Sequence, residues 1–113
     1  MHEMSMIESV VGLVEDERRK QNFSRVRMIR LRVGALACVE PDALRFCFEA
    51  VTRDSLAEGA RLEIDTAPGQ GWCAPCRRTV PLDDRFDDCP VCGSGELSVT
   101  GGGDLRLVEL EVE

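Results

Sequence analysis

The sequence predicts an α+β fold in which two helices pack on a small mixed or antiparallel sheet, with a further lobe inserted before the last strand. Three observations support this prediction. Two segments repeat apolar residues at the spacing of a helix, and three others alternate apolar and polar residues as half-buried strands do. Residues 72–100 have little apolar periodicity but contain two Cys-x-x-Cys pairs, a pattern that is typical of a zinc-ribbon-like lobe.

The first element is a helix predicted over residues 5–22. Ser5 and Glu8 form a Ser-x-x-Glu pattern, which is typical of the capping box at a helix start. The apolar residues that follow at helical spacing are Met6, Ile7, Val10, Val11 and Val14. A cap at Ser5 predicts that residues 1–4 lie outside the helix.

A strand and a second helix follow. Ile29, Leu31 and Val33 alternate with arginines, which predicts a half-buried strand that ends at Gly34. Pro41 suits the first turn of a helix, where its missing N–H costs nothing. The apolar face of that helix consists of Leu44, Cys47, Phe48 and Val51. After a break at Gly59, Leu62 and Ile64 alternate with polar residues and predict another strand.

Glycine-rich segments predict the division of the chain into domains. Residues 68–71 form a turn-rich boundary, and residues 101–103 form a flexible link. Beyond this link, Val108, Leu110 and Val112 alternate with glutamates as a terminal strand that pairs back onto the first lobe. We therefore expect residues 1–68 with 104–113 to form one α/β domain, and residues 69–103 to form a second domain that holds the cysteine pairs.

The two cysteine pairs predict a structural zinc site. Cys73 and Cys76 are separated from Cys89 and Cys92 by twelve residues, and Zn²⁺ prefers four soft ligands in a tetrahedron. A site with four cysteines leaves no position for water, so it is structural and not catalytic. Metal binding would supply much of the folding energy of this core-poor segment. The alternative is a pair of redox-active dithiols.

Two further cysteines have no such partner. Cys38 lies in the loop before the second helix, and Cys47 lies on its apolar face. We expect both to be buried small thiols, because a free cysteine often behaves as a small hydrophobe.

Composition limits the classes of function. The formal net charge is −7, there is one lysine, and aromatic residues make up 4% of the chain. These values argue against a nucleic-acid-binding surface, which needs clustered basic and stacking side chains. There is no apolar run long enough for a membrane span and no signal peptide. We therefore expect a cytoplasmic protein, with its cysteines in a reducing compartment.

His2 is the only histidine, and its position suggests a second metal site. The α-amine of Met1, the backbone nitrogen of His2 and its imidazole can close two adjoining chelate rings on one metal. The backbone nitrogen of Glu3 can complete a planar set of four nitrogens, which suits Ni²⁺ or Cu²⁺. The Glu3 carboxylate either steers the cation or is an ordinary acidic group near a helix start. Protons compete for every ligand, so acid should weaken binding.

The chain resembles the HypA/HybF family of hydrogenase maturation proteins. The segments that carry the resemblance are residues 1–5, 32–34, 39–49, 59–64, both Cys-x-x-Cys pairs and residues 109–112. The resemblance implies a nickel metallochaperone for [NiFe]-hydrogenase, with Ni(II) as transient cargo and a structural Zn(II). It implies nickel ligands from the terminal amine, His2 and the backbone nitrogen of Glu3, and zinc ligands from the four paired cysteines.

The resemblance also implies partners. These are a HypB-type GTPase that handles nickel and the hydrogenase large subunit, and family members occur as monomers or homodimers. Some members have a histidine beside the zinc cysteines, and this chain has none. We expect a carrier and not an enzyme, since no nucleophile–base pair or open catalytic metal site stands out. The alternatives are a zinc-ribbon module that binds a protein or nucleic acid and, more weakly, a dithiol oxidoreductase.

Overall fold

The computed structural model describes residues 3–113 and contains two α-helices, one short 3₁₀ turn and six strands. The elements are α1 (Glu3–Gln21), β1 (Val26–Gly34), the 3₁₀ turn (Ala35–Ala37), α2 (Pro41–Thr52), β2 (Arg61–Ala67), β3 (Gly69–Cys73), β4 (Arg78–Leu82), β5 (Leu97–Gly101) and β6 (Leu105–Val112). They form two three-stranded sheets, with strand orders β2-β1-β6 and β4-β3-β5. The predicted α+β class is confirmed.

The described residues group into two compact units. The helical unit contains residues 3–31, 39–65 and 107–113, and the cysteine unit contains residues 32–38 and 66–106. Strands β1, β2 and β6 each contribute residues to both units. The assignment of nickel to one predicted domain and zinc to the other stays a prediction.

The core of the helical unit is built from one face of each helix and from β1. The residues that α1 buries are Ile7, Val10 and Val14, and those that α2 buries are Leu44, Phe48 and Thr52. The Thr52 hydroxyl donates a hydrogen bond of 2.6 Å to the carbonyl of Phe48, so burial leaves this polar group satisfied. The predicted apolar face of the second helix is confirmed, although Cys47 and Val51 are only half-buried.

The predicted start of the first helix is wrong. Helix α1 already includes Glu3 and Met4, so Ser5 lies in its first turn and does not cap it. The Ser5 carbonyl accepts a hydrogen bond from the hydroxyl of Ser9, one turn later. A Ser-x-x-Glu pattern also occurs inside helices, and here the helix extends past it toward the amino terminus.

In the cysteine unit, β3 is the central strand and pairs antiparallel with β4 and β5. Its small core consists of Leu36, Cys73, Val80, Leu82 and Cys89. The predicted turn at residues 68–71 is wrong, because Gly69 and Gly71 lie inside β3. A Cβ at Gly69 would overlap Leu82 and Leu36, so this glycine permits close packing of the sheet and does not mark a turn.

The glycines at 101–103 do not form a flexible link. Gly101 ends β5, and Gly102 has a φ of +79°, which favours glycine. The carbonyl of Gly102 accepts a 2.8 Å hydrogen bond from Leu36 N–H, and the carbonyl of Asp104 accepts one from Gly34 N–H. This segment is therefore a close-packed turn, which its composition does not reveal.

We predict that Gly34→Ala destabilises the protein by about 3 kcal/mol. The φ of Gly34 is −69°, which any residue adopts. However, an alanine Cβ would overlap the main-chain carbonyl of Gly102. No rotamer change relieves a clash with backbone, so the two hydrogen bonds to residues 102 and 104 would be strained. Urea denaturation measures the change in the free energy of unfolding.

The control for this substitution is Gly12→Ala. Gly12 lies in α1, and a Cβ there would meet no atom within 4 Å. Alanine has the higher helix propensity, so we expect this variant to gain stability, by up to about 1 kcal/mol. A Gly34→Ala protein as stable as wild type would contradict the packing described here.

Candidate metal centre

Each Cys-x-x-Cys pair forms the same tight turn. The N–H of Arg77 donates to the carbonyl of Cys73, and the N–H of Gly93 donates to that of Cys89, both at 2.8 Å. The residue after each pair has a positive φ, 53° at Arg77 and 75° at Gly93. Glycine adopts this conformation freely, so Gly93 suits the turn. The two turns present their sulfurs to a common point.

The spacing of the four sulfurs fits a tetrahedral metal ion. The Sγ atoms of Cys73 and Cys92 lie 3.6 Å apart, and those of Cys76 and Cys89 lie 3.9 Å apart. All four sulfurs are within 4.8 Å of one another. A tetrahedron with Zn–S bonds of about 2.3 Å has S–S edges of about 3.8 Å. The observed distances therefore match the donor set and size that Zn²⁺ prefers.

The surroundings of the sulfurs shift the pKa values of two of the thiols in opposite directions. The backbone N–H groups of Cys92 and Val91 point at the Cys89 sulfur, at 3.5 and 3.4 Å, and they lower the pKa of this thiol to about 6 despite its burial. The neighbouring thiol of Cys92, together with burial, raises the pKa of Cys76 to about 12. The lowered pKa favours the thiolate form of Cys89, which is the form that binds a metal, whereas Cys76 would have to lose its proton before it could bind one.

The structure brings the four predicted zinc ligands together and leaves the other two cysteines apart from them. Cys73 and Cys89 are buried, Cys76 is half-buried and Cys92 is exposed. The prediction that Cys38 is buried is wrong: it is exposed and ends the 3₁₀ turn in a left-handed conformation, with a φ of 56°. Cys47 is half-buried on α2.

The predicted nickel ligands lie mostly outside the described residues. Met1 and His2 both lie outside residues 3–113, which the structure describes. Glu3 is half-buried in the first turn of α1, and its carboxylate accepts a hydrogen bond of 3.5 Å from the backbone N–H of Glu40, the residue before α2. Sequence reasoning missed this contact, because no local pattern relates positions 37 residues apart.

Helix α1 is amphipathic and has charged residues toward its carboxyl end, and helix α2 is short. Within residues 3–113, neither helix has an apolar stretch of the length and hydropathy needed to cross a bilayer.

Comparison with known proteins identifies relatives over the whole chain. A family model described as "Hydrogenase/urease nickel incorporation, metallochaperone, hypA" matches residues 1–112. A hydrogenase maturation factor HypA from Methylocella silvestris is 66% identical over 113 residues, and one from Azotobacter vinelandii is 56% identical. Each alignment covers all of this chain and all of the relative.

A solved structure shares the fold. The solution structure of the Ni metallochaperone HypA from Helicobacter pylori superposes with a TM-score of 0.76 at 24% identity, covering 99% of this chain and 97% of that one. At this identity the structural likeness supports the fold alone, while the family match and the relatives cover both cysteine pairs and the amino terminus. The chain therefore belongs to the HypA family of nickel-incorporation metallochaperones for hydrogenase maturation.

Proposed function

We propose that this chain binds one Ni²⁺ at its amino terminus and delivers it to the large subunit of a [NiFe]-hydrogenase. The observation that carries the proposal is the family match over residues 1–112, which includes Met1, His2 and Glu3. The proposed ligands are the Met1 amine, the imidazole and backbone nitrogen of His2, and the backbone nitrogen of Glu3. Four nitrogens in a plane suit Ni²⁺.

The position of Glu3 supports its proposed role. It belongs to the first turn of α1, where backbone N–H groups have no acceptor within the helix. Its nitrogen can therefore bind a metal without breaking a helical hydrogen bond. The carboxylate is already bound to Glu40 N–H, so we assign it to orienting the first turn and not to nickel.

Charge balance also bears on the site. The start of a helix disfavours a cation, because the helix dipole is positive there. If the backbone nitrogens of His2 and Glu3 lose their protons on binding, Ni²⁺ becomes formally neutral and this conflict largely disappears. The protonation of these nitrogens also makes nickel release easy. Acid would return their protons, and a partner could supply competing ligands, so that the nitrogens are displaced one at a time.

We propose that Cys73, Cys76, Cys89 and Cys92 hold a Zn²⁺ ion whose role is structural. The sulfur spacing supports zinc, and four protein ligands leave no open position for a substrate or water. Bound zinc would supply the cross-link that the small core of the cysteine unit lacks. The reducing cytoplasm is the proposed compartment, because unpaired thiols persist there.

The proposed partners follow from the cargo. A HypB-type GTPase would exchange nickel with this chain, and the hydrogenase large subunit would receive it. The second candidate function is a zinc-ribbon module that binds a protein, which the cysteine cluster favours and which leaves the terminal residues without a role.

The test is calorimetric titration of nickel into zinc-loaded, untagged protein, beside a variant with Gly-Ser added before Met1. The extension moves the free amine away and breaks the chelate rings, so we expect about one Ni²⁺ per native chain and at least a hundredfold weaker binding by the extended chain, about 2.7 kcal/mol. Zinc content should be the same in both. Equal nickel binding by the two proteins would overturn the terminal site and favour the interaction module.

A further inference from the structure

Strand β6 is an edge strand in the described part of the chain. The order β2-β1-β6 gives it a single neighbour, β1. The opposite edge, β2, is partly covered, because the Arg45 guanidinium donates a 2.6 Å hydrogen bond to the carbonyl of Leu62. Among the described residues, no such side-chain hydrogen bond reaches the main chain of residues 107–112. An open edge is a template for an added strand.

A groove lies beside this edge, within the helical unit. Its polar lining comes from Glu17 and Gln21 of α1 and from Glu109 of β6. Its apolar lining residues are Phe23, Leu107, Val108, Leu110 and Val112. The groove has a volume of about 330 Å³. Val108 and Val112 are 40% and 39% exposed, so α1 covers only part of the apolar face of β6. We call this feature the β6 groove.

The charged residues that line the β6 groove are acidic, Glu17 and Glu109. Glu109 and Glu111 alternate with the apolar residues of β6, and Glu113 follows the strand; the three pair with arginines at 2.8, 3.5 and 3.4 Å. Each of these glutamate side chains remains more than half exposed. Exposed pairs of this kind leave much of the carboxylate free to meet another cation. At the rim, Glu17 pairs with Lys20 at 3.8 Å.

We propose that the β6 groove binds an extended, basic segment of a partner protein as an additional strand. Side chains alternate between the two faces of a strand. Apolar residues of the segment would therefore enter the groove beside Val108 and Val112, while its lysines or arginines would lie beside Glu109 and Glu111. Main-chain hydrogen bonds to β6 give affinity, and the alternation of apolar and basic residues gives specificity.

A second copy of this chain fits the groove less well. Two β6 strands that pair with their apolar residues on one face bring their rows of glutamates side by side. Like charges on neighbouring strands are destabilising. A basic foreign segment brings cations to the same glutamates and is therefore the better complement.

The probe is a short fluorescein-labelled peptide that alternates valine and lysine, titrated with the full zinc-loaded chain by fluorescence anisotropy. Two control peptides test the two parts of the proposal. One replaces each lysine by glutamate, and the other carries N-methyl groups on alternate residues, which remove the donors of one strand edge. We expect binding of the first peptide only, weakening as salt screens the charges.

The matched protein variants are Val112→Lys and Val99→Lys. Both valines are similarly exposed, at 39% and 37%, but Val99 lies on β5 in the cysteine unit. We expect Val112→Lys to weaken peptide binding at least about tenfold and Val99→Lys to leave it within about twofold, since a lysine in the groove removes apolar contact and repels the peptide. Circular dichroism establishes that both variants are folded.

Several outcomes would overturn the proposal. The first is that the valine–lysine peptide does not bind, and the second is that either control peptide binds as tightly as it does. The third is that Val112→Lys and Val99→Lys weaken peptide binding equally. If sedimentation shows that wild type dimerises and that Val112→Lys is monomeric, the occupant is a second copy and the basic partner is wrong. None of these readouts depends on nickel, so they are independent of the proposed metal delivery.

Discussion

Removing zinc, or substituting one of its ligands as in Cys73→Ser, is expected to unfold the cysteine unit. Its core holds only Leu36, Val80 and Leu82 besides two of the cysteines themselves. Structural zinc sites contribute about 10 kcal/mol or more to folding, which exceeds what so few apolar side chains supply. In Cys73→Ser, a hydroxyl would also replace a fully buried sulfur and lose its metal.

Two-dimensional ¹H–¹⁵N NMR measures this effect residue by residue. We expect amide signals of residues 66–106 to lose their dispersion when a chelator removes the metal, together with loss of zinc from the protein by elemental analysis. Cys38→Ser is the control, because Cys38 is an exposed thiol that does not belong to the cluster. Retention of dispersed signals by metal-free protein would show that the core alone holds the unit together.

His2→Ala is expected to lower nickel affinity by at least a thousandfold, about 4 kcal/mol, at neutral pH. The substitution removes the only imidazole in the chain and opens one chelate ring. In cells that lack their own family member, we expect the variant to leave hydrogenase inactive at low nickel, and added nickel to restore part of the activity. Hydrogenase activity and nickel content of the large subunit are the measurements.

Glu3→Gln is the matched control for this prediction. It keeps the backbone nitrogen that we propose as a ligand and replaces the carboxylate that contacts Glu40. We expect only a small change in nickel affinity, whereas a loss as large as that of His2→Ala would make the carboxylate a ligand. Wild-type affinity should fall steadily with acid, because protons compete for the imidazole, the amine and both backbone nitrogens.

The candidate metal site of the cysteine unit could be predicted from the sequence, because the turn that each Cys-x-x-Cys pair forms is local. Two residues between cysteines are enough to set a turn, and the same turn recurs at Arg77 and Gly93 with positive φ. The helices and half-buried strands were also predictable, since their apolar periodicity directly reflects which face is buried. The first and last residues of these elements were less predictable, as the start of α1 at Glu3 illustrates.

The structural roles of the glycines and the exposure of Cys38 depended on contacts between distant parts of the chain. Gly69 and the glycines at 101–103 have the composition of turns or linkers, but their neighbours in space are Leu82, Pro68 and Leu36. The exposure of Cys38 follows from a left-handed backbone at the end of a 3₁₀ turn. The conformational preference of glycine is the same in a mobile link as at a position where it packs against a main-chain carbonyl.

The residue types and spacings of this chain thus determined its class, its two helices and its candidate ligands, because each of these depends on positions only a few residues apart. The tertiary structure decided how the sulfurs converge to within 4.8 Å, that Glu3 contacts Glu40, and that β6 lies at an open edge beside a groove. These features depend on which distant segments pack together, and that choice is made by the burial of the whole core and not by any short stretch of sequence.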